Sequence, residues 1–514
     1  MNQQTAAGGH DRAATEALER GRTLMLRGDV AGAVAAFRRG ALADPGFLDL
    51  RHALAGALSQ CGEVAEAESL LRGVLAADPG HVAAAFQLAR LLMAQGRMLA
   101  VETCLRALSA RPLGTGTLIL AIELLDDCGR KQAASDLAEA GIAADPDDAR
   151  LHAYAGMLAM QLGDFERARS RYRYAIEHDA RAVEWQSAYG YAMCKRYTNA
   201  GDPDFELLRG LLARDELGAH ARASLLFALG KACDDLGDTA QAARWLREAN
   251  ALAATTADFS RKNWRRLVAA RLDATATAAA QAPADDFVPV FVVGLPRSGT
   301  TLVAERLACH PRVCNRGELN WIGHLAQQLG QDARPRPDAY ARAAASYVAQ
   351  VRQDDTDARW FIDKQPLNFL HVDLMLALFP QARIVHCRRN ARDTALSIWM
   401  QYFAGRELGF ACDFADIAAV AQGCERLMAA AGKRHAAAIH EVRYEELVQD
   451  PDRVIGALAA WIGLDAPVDL AARGPVVIST ASAWQARQPV HARSVGRWRA
   501  YAESVPELLG FPDE

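Results

Sequence analysis

The apolar positions in the first half of the chain fall in stripes at helical spacing, and the stripes are punctuated at regular intervals. Gly28, Gly62, Gly96, Gly129 and Gly163 recur every 33 or 34 residues, each after an amphipathic segment. Five residues later stands a small side chain (Ala33, Ala67, Ala134, Ala168, with Val101 the exception), and units close on Pro45, Pro79, Pro112 and Pro146. This predicts a repeated helix, turn, helix, stop: glycine serves the turn, the small residue lets paired helices approach, and proline sets the entry to the next unit. The register blurs through SAYGYAMCKRYTNAGDPDFELLRG and returns at Gly237, with Ala242 again five residues on. An irregular pair and a last repeat are expected there. From about Phe287 the period changes. FVPVFVVG is a β-rich apolar run suited to a buried parallel strand, and the following TTLVAERLACH has helical spacing at Leu302, Ala304, Leu307 and Ala308. A second strand is expected at ARIVHCRR and a short one before Lys364 in FIDKQPLNF.

The first half resembles the tetratricopeptide repeat (TPR) family in unit length and pattern, which implies an all-α solenoid of helix pairs burying one another's apolar stripes. Such a concave surface commonly binds an extended peptide or partner chain, so a protein or peptide partner is expected, with dimerisation or bracing as the alternative. RKNWRRLVAARLDATATAAAQAPADD then passes from a basic helical stretch into small residues, proline and two aspartates, as a linker does. The expected organisation is a flexible N-terminus at 1–15, TPR-like repeats at 16–253, a helical, alanine-rich linker at 254–285, and an α/β domain with a central parallel sheet at 286–514.

Composition narrows the function classes. The 514 residues are 51% hydrophobic and 23% charged with a formal net charge of -4, so no broad nucleic-acid footprint is indicated and any anion site must be made locally. The start MNQQTAAGGHDRAATEALERG lacks a cationic segment leading into an apolar stretch, and no apolar run approaches membrane-spanning length, so a cytoplasmic location is expected. Ten cysteines, without a C-x-x-C pair or companion histidines, suggest neither a disulfide framework nor a structural metal; most are expected to be small buried apolar residues.

The candidate chemistry begins at VFVVGLPRSGTT, residues 290–301. Gly294 and Gly299 match the two glycines of the phosphate loop G-x-x-x-x-G-K-[ST], and the helix beyond presents unpaired N–H groups to an anion. Thr300 stands at the lysine position, while Arg297 supplies a cation inside the loop. The strand ARIVHCRR ends in Cys387, Arg388 and Arg389, with no aspartate there to hold a metal-bound water. A site rich in arginine and poor in carboxylates suits a nucleotide held by direct cation and backbone contacts, without a metal. Lys364 ends a short apolar run, where active-site residues stand at the carboxyl ends of parallel strands.

These residues resemble the 3′-phosphoadenylyl-sulfate (PAPS) dependent sulfotransferases from about Phe287 to Tyr501. PRSGTT looks like that family's 5′-phosphosulfate loop in the arginine form of protein-tyrosine sulfotransferases, which implies donor contacts from Arg297, Ser298, Gly299, Thr300 and Thr301. RNARDTALS resembles the 3′-phosphate grip, with Arg389 and Ser397 eight residues apart so that a guanidinium and a hydroxyl converge on one phosphate. Arg389 also lies in a basic run with Arg383, Arg388 and Arg392, which is compatible with a solvated face. Lys364 matches a lysine many sulfotransferases carry. The histidine base of the small-molecule enzymes is replaced by Pro366, whereas CNRGELNW resembles the tyrosine-sulfotransferase pattern and carries the base role to Glu318. Glu318 can also serve as a helix-start carboxylate before WIGHLAQQL, and the two roles are compatible. The resemblance further implies nucleotide contacts from Tyr444, Ser482 and Arg497, with Arg493 and Arg499 leaving open which arginine closes on the 3′-phosphate. His324, His371 and His386 are read as structural.

The implied reaction is transfer of the PAPS sulfuryl group to an acceptor hydroxyl with release of adenosine 3′,5′-bisphosphate (PAP). Protein or peptide tyrosine is favoured, and saccharide or small-molecule hydroxyls stay open. A P-loop kinase or NTPase and an inactive repeat scaffold are the rivals.

Overall fold

The computed structural model describes residues 11–109, 113–273, 286–330, 337–403, 406–464, 468 and 492–513. Its first half is a succession of helix pairs: α1 (Arg12–Leu26) with α2 (Val30–Ala43), α3 (Leu48–Gln60) with α4 (Val64–Ala77), α5 (Val82–Ala94) with α6 (Met98–Leu108), α7 (Thr115–Asp127) with α8 (Lys131–Ala144), and α9 (Ala149–Leu162) with α10 (Phe165–His178). The repeating glycines end the first helix of each pair with φ between 73° and 90°, the left-handed turn that a side chain resists. The residues five positions on are fully buried: Ala33, Ala67, Val101, Ala134 and Ala168 are all at 0% exposure. After Gly28 and Gly163 an aspartate caps the second helix, Asp29 Oδ1 accepting from Gly32 N at 2.9 Å and Asp164 Oδ1 from Arg167 N at 3.0 Å.

The blurred register has a cause. α11 (Ser187–Met193) and α12 (Pro203–Leu212) are short, and a polar cluster replaces small-residue packing between them. Asp204, 2% exposed, accepts from Arg169 Nη2 at 2.7 Å, Tyr191 OH at 2.8 Å and Tyr197 OH at 3.0 Å, and pairs with Lys195 at 2.8 Å. Regular pairing then resumes in α13 (Ala219–Asp235) and α14 (Thr239–Ala254), followed by α15 (Arg261–Asp273).

The α/β part is built on five parallel strands, β1 (Val288–Gly294), β2 (Val313–Asn315), β3 (Trp360–Asp363), β4 (Arg383–Arg388) and β5 (Ile439–Arg443), in the order β2-β3-β1-β4-β5. Val290 of β1 aligns with Ile362 of β3, and Gly294 with Cys387 of β4. The helices are α16 (Thr300–Leu307), α17 (Trp321–Gly330), α18 (Pro337–Arg352), α19 (Val372–Leu378), α20 (Ala391–Trp399), α21 (Phe414–Arg434), α22 (Tyr444–Gln449) and α23 (Pro451–Ile462). Both sheet faces are covered, as a parallel sheet requires. Val290 and Val292 pack with Val303, Leu458 and Ile462, whereas Phe291 and Val293 belong to a larger core with Tyr347 and Phe379.

That larger core also contains Ile176, Leu225, Phe227 and Leu246 from the helical half. The chain accordingly divides into two compact units, one running to Leu137 and taking in Arg352–Asp355, the other comprising Ala138–Val351 and Thr356–Glu514. Inside the second unit, Asn250 Nδ2 of α14 donates to Trp399 O at 3.0 Å, and Trp264 Nε1 of α15 donates to Ala419 O at 2.9 Å. All ten cysteines are free and five are buried (Cys128, Cys194, Cys233, Cys387 and Cys424), half of them rather than most.

Candidate active site

The sequence-predicted residues gather at the carboxyl edge of the sheet, where ligands bind in open parallel folds. β1 runs into Gly294, whose backbone approaches β4 so closely that a Cβ would lie 2.4 Å from Cys387 O. The loop turns on itself, Ser298 N and Oγ both donating to Leu295 O at 3.2 and 2.7 Å. Arg297 (φ 70°) and Gly299 (φ 99°) are both left-handed, and α16 starts at Thr300. Ser298, Thr300 and Thr301 are buried beneath it.

Arg297 Nε donates to Ser397 Oγ at 3.0 Å, so the loop after β1 meets the second turn of α20. Arg389, one residue beyond β4, is half-buried. Its Nη1 donates to Arg297 O at 3.1 Å and its Nη2 to Ser494 O at 2.6 Å, with the guanidinium 4.7 Å from the Tyr444 ring centre. The Tyr444 ring also covers Gly299, where a Cβ would come within 2.7 Å of Cδ2. Arg389 Nε is buried with no hydrogen-bond partner. Burial, and next the neighbouring Arg389, push the Arg297 guanidinium down to about 10; burial likewise depresses Arg389.

On the other side of β1, Lys364 follows β3 and is 2% exposed, its Nζ paired with Glu318 Oε1. Glu318 is set by the turn after β2: Gly317 N donates to Asn315 Oδ1 at 3.0 Å, and Lys364 N to Gly317 O at 2.8 Å. Burial pushes the Lys364 ammonium down, partly offset by the Glu318 charge. The preceding Asp363 faces the opposite side of the strand, accepts from Tyr347 OH at 2.8 Å, and is pushed up to about 7 by burial. Among the histidines, burial lowers His371 and His386 to about 4, so both are neutral at pH 7.

Arg497 has a partner the sequence did not announce: it forms an ion pair with Asp234 of α13, and Tyr501 OH donates to Asp234 Oδ1 at 2.7 Å. Arg497 remains near enough to Arg297 and Arg389 to depress both. Its turn is pinned by buried Asp393, which accepts from Gly496 N at 2.6 Å and Trp498 N at 2.9 Å. Arg499 lies over Trp498 at 5.0 Å. Ser482 lies outside the described residues. Tyr189 of α11 was also missed; its hydroxyl accepts from Gln401 Nε2, and it lies within electrostatic reach of Arg297. Asp393 had a signal, standing inside RNARDTALS itself, whereas Asp234 and Tyr189 lie in repeat-like sequence that marks only helix.

A loop of this form, two arginines beside it and a lysine–glutamate pair with its lysine buried at the ends of parallel strands define a phosphate-loop-like α/β fold. Residues 289–468 match the sulfotransferase family, and residues 62–114 and 223–256 match the tetratricopeptide repeat. The chain thus combines a sulfotransferase-family domain with TPR repeats. It is 28% identical over 342 residues to an uncharacterized protein of Aquifex aeolicus (61% of this chain, 44% of that one). To the nodulation protein NoeE of Sinorhizobium fredii it is 28% identical over 216 residues (34% and 50%). The chain therefore spans about half the length of these curated relatives or less. Among solved structures, a tetratricopeptide repeat protein from Parabacteroides merdae has 15% identity and a TM-score of 0.28 (47% of this chain, 94% of that one). MamA from Desulfovibrio magneticus RS-1 has 16% identity and a TM-score of 0.26 (33% and 96%).

Proposed function

We propose that this protein transfers the sulfuryl group of PAPS to an acceptor hydroxyl and releases PAP. The observation that carries the reading is the convergence of Arg297, Arg389 and Ser397 from two strand ends onto one half-buried basic site. Arg389 Nε, buried without a partner, and the Gly299 cradle under Tyr444 both fit an anionic nucleotide. Arg297, Ser298, Gly299, Thr300 and Thr301 would hold the 5′-phosphosulfate, and Arg389 with Ser397 the 3′-phosphate; Tyr444 is the neighbouring aromatic wall, and Arg497 a further cation.

When bound, PAPS supplies the sulfuryl group and a bisphosphate leaving group. The chain's own part is positioning and charge compensation, as in phosphoryl transfer. Arg297, fixed by Ser397, and Lys364, fixed by burial, provide cations for the leaving oxygen. Lys364 is 2% exposed and Glu318 39%, so the carboxylate is the member of the pair that an acceptor reaches. Glu318 takes the acceptor's hydroxyl proton as the sulfuryl group passes from the bisphosphate oxygen to that hydroxyl oxygen, the bisphosphate leaving with the electron pair of the broken S–O bond. Protein or peptide tyrosine is the favoured acceptor: the base is a glutamate, and TPR repeats suit peptide binding. A saccharide or small-molecule hydroxyl is the second reading.

Thermal denaturation with PAP or with ATP and magnesium tests the donor, since a ligand stabilises the state it binds. Stabilisation by PAP is expected; stabilisation by ATP with magnesium but not by PAP would favour a kinase or NTPase. Transfer from radiolabelled PAPS into lysate, fractionated into protein, glycan and lipid, identifies the acceptor. Label in protein that disappears with Glu318→Ala is expected, and label only in glycan would overturn the tyrosine assignment.

A further inference from the structure

Lys364 is almost fully buried, yet the carboxylate paired with its ammonium, Glu318, is also the group assigned to take the acceptor's proton. A base that takes up a proton loses its charge. At that moment the ammonium would be left with only the donor's charge, and a buried cation short of compensation is costly. A second carboxylate that takes no part in proton transfer removes the difficulty. Burial depresses Lys364, and among the described residues the charges that act against it are those of Glu318, Glu305 and Asp363, in that order. Asp363 serves poorly: it accepts from Tyr347 OH on the opposite side of the strand, and burial pushes it up to about 7, so near neutral pH it is only partly ionised.

Glu305 is better placed. It stands in the second turn of α16, and its Oε1 accepts from Asn315 Nδ2 at 2.9 Å. Asn315 ends β2 and aligns with Ile362 of β3, two residues before Lys364. The oxygen of the same amide accepts from Gly317 N at 3.0 Å, and Gly317 O accepts from Lys364 N at 2.8 Å. One asparagine therefore ties the Glu305 carboxylate to the turn that carries Glu318 and, through that turn, to the Lys364 backbone. We propose that Glu305 is the positioning residue of Lys364: fixed by Asn315, its carboxylate is the standing counter-charge that keeps Lys364 an ammonium while Glu318 takes up and returns the acceptor's proton. This deepens the proposed function and rests on Lys364 being the cation and Glu318 the base of the transfer.

The chain has six lysines, so Lys364 can be titrated by NMR in the full-length protein labelled with carbon-13 at lysine Cε, its signal being the one lost in Lys364→Arg. An opposite charge favours the ammonium, and removing that charge lowers the pH at which the proton is lost. Glu305→Gln keeps an oxygen for Asn315 and discards the charge, so the Lys364 titration should move down by about one pH unit or more. Glu305→Asp, with its charge on a shorter stem, should move it by less. In transfer from radiolabelled PAPS, Glu305→Gln should shift the alkaline limb of kcat to lower pH by the same amount, with the KM for PAPS at neutral pH within about twofold of wild type. A Lys364 titration unchanged in Glu305→Gln, or lowered equally by Glu305→Asp, overturns the proposal whatever the activity. A lowered titration in a protein that transfers no sulfuryl group would uphold Glu305 as the counter-charge of Lys364 and overturn the transfer reading instead.

Discussion

Arg297 adopts a φ of 70°, a conformation an arginine holds only when its surroundings impose it. Here the imposing groups are Ser397, which fixes Nε, and Arg389, which donates to its carbonyl. The sequence showed that an arginine replaces the expected lysine as the loop's cation. It could not show this conformation, because nothing in PRSGTT demands a positive φ at arginine, nor that Arg389 holds the loop by donating to the Arg297 carbonyl. Gly299 is the more readable residue, and Gly299→Ala should be severe. The added Cβ meets Tyr444 Cδ2 at 2.7 Å on a backbone with φ of 99°, so PAP affinity should fall by about tenfold or more; unchanged affinity in a titration would mean that the Tyr444 wall yields freely. Arg389→Ala should weaken PAP binding by about ten- to a hundredfold through loss of charged hydrogen bonds. Glu318→Ala should spare PAP binding and remove turnover, and equal loss of binding in the two variants would break the division of roles.

Among the elements, the regular helix pairs were legible because glycine, small residue and proline each answer to a local rule. The region around α11 and α12 was not, because its fold rests on Asp204 gathering partners from distant positions. Burial alone would raise the Asp204 carboxyl; hydrogen bonds from Lys195, Arg169 and Tyr191 outweigh it and hold the group below the usual carboxylate range. Its stabilisation is therefore fully present above the unfolded value near ~3.9 and is lost as pH falls through the folded value. Asp204→Asn takes the counter-charge from Arg169, while Lys195 keeps its pair with Asp202 at 2.7 Å, and should cost roughly 3–5 kcal/mol at pH 7. Urea unfolding of wild type and variant at pH 7 and at progressively lower pH checks both points. The gap should narrow on acidification below the unfolded value, and a gap independent of pH would show that the carboxylate charge is not what holds the cluster.

For the molecule as a whole, the change of hydrophobic period near Phe287 marks where strands begin, but it says nothing of which surfaces pack across the change. Ile176, Phe227 and Leu246 share a core with Phe291 and Phe379, and Asp234 of α13 holds Arg497 within electrostatic reach of Arg297 and Arg389. No local pattern distinguishes Asp234 from any other helix-surface aspartate, since its partner is 263 residues away (497 minus 234). A fragment beginning at Asp286 would lack Asp234, Tyr189 and the Trp264 anchor, and should fail to bind PAP. In the full chain, Asp234→Asn frees Arg497 to turn toward solvent and away from Arg389. PAP affinity and the KM for PAPS should then worsen by about tenfold, with kcat at saturating donor little changed. Asp234→Glu should recover part of the loss, whereas Arg247→Gln, which breaks the exposed pair with Glu507 at 2.7 Å elsewhere between α14 and the C-terminal segment, should not reproduce it. Tighter PAP binding in Asp234→Asn would instead make the aspartate a competitor for Arg497, and an equal loss in Arg247→Gln would reduce its role to general cohesion between helices and sheet.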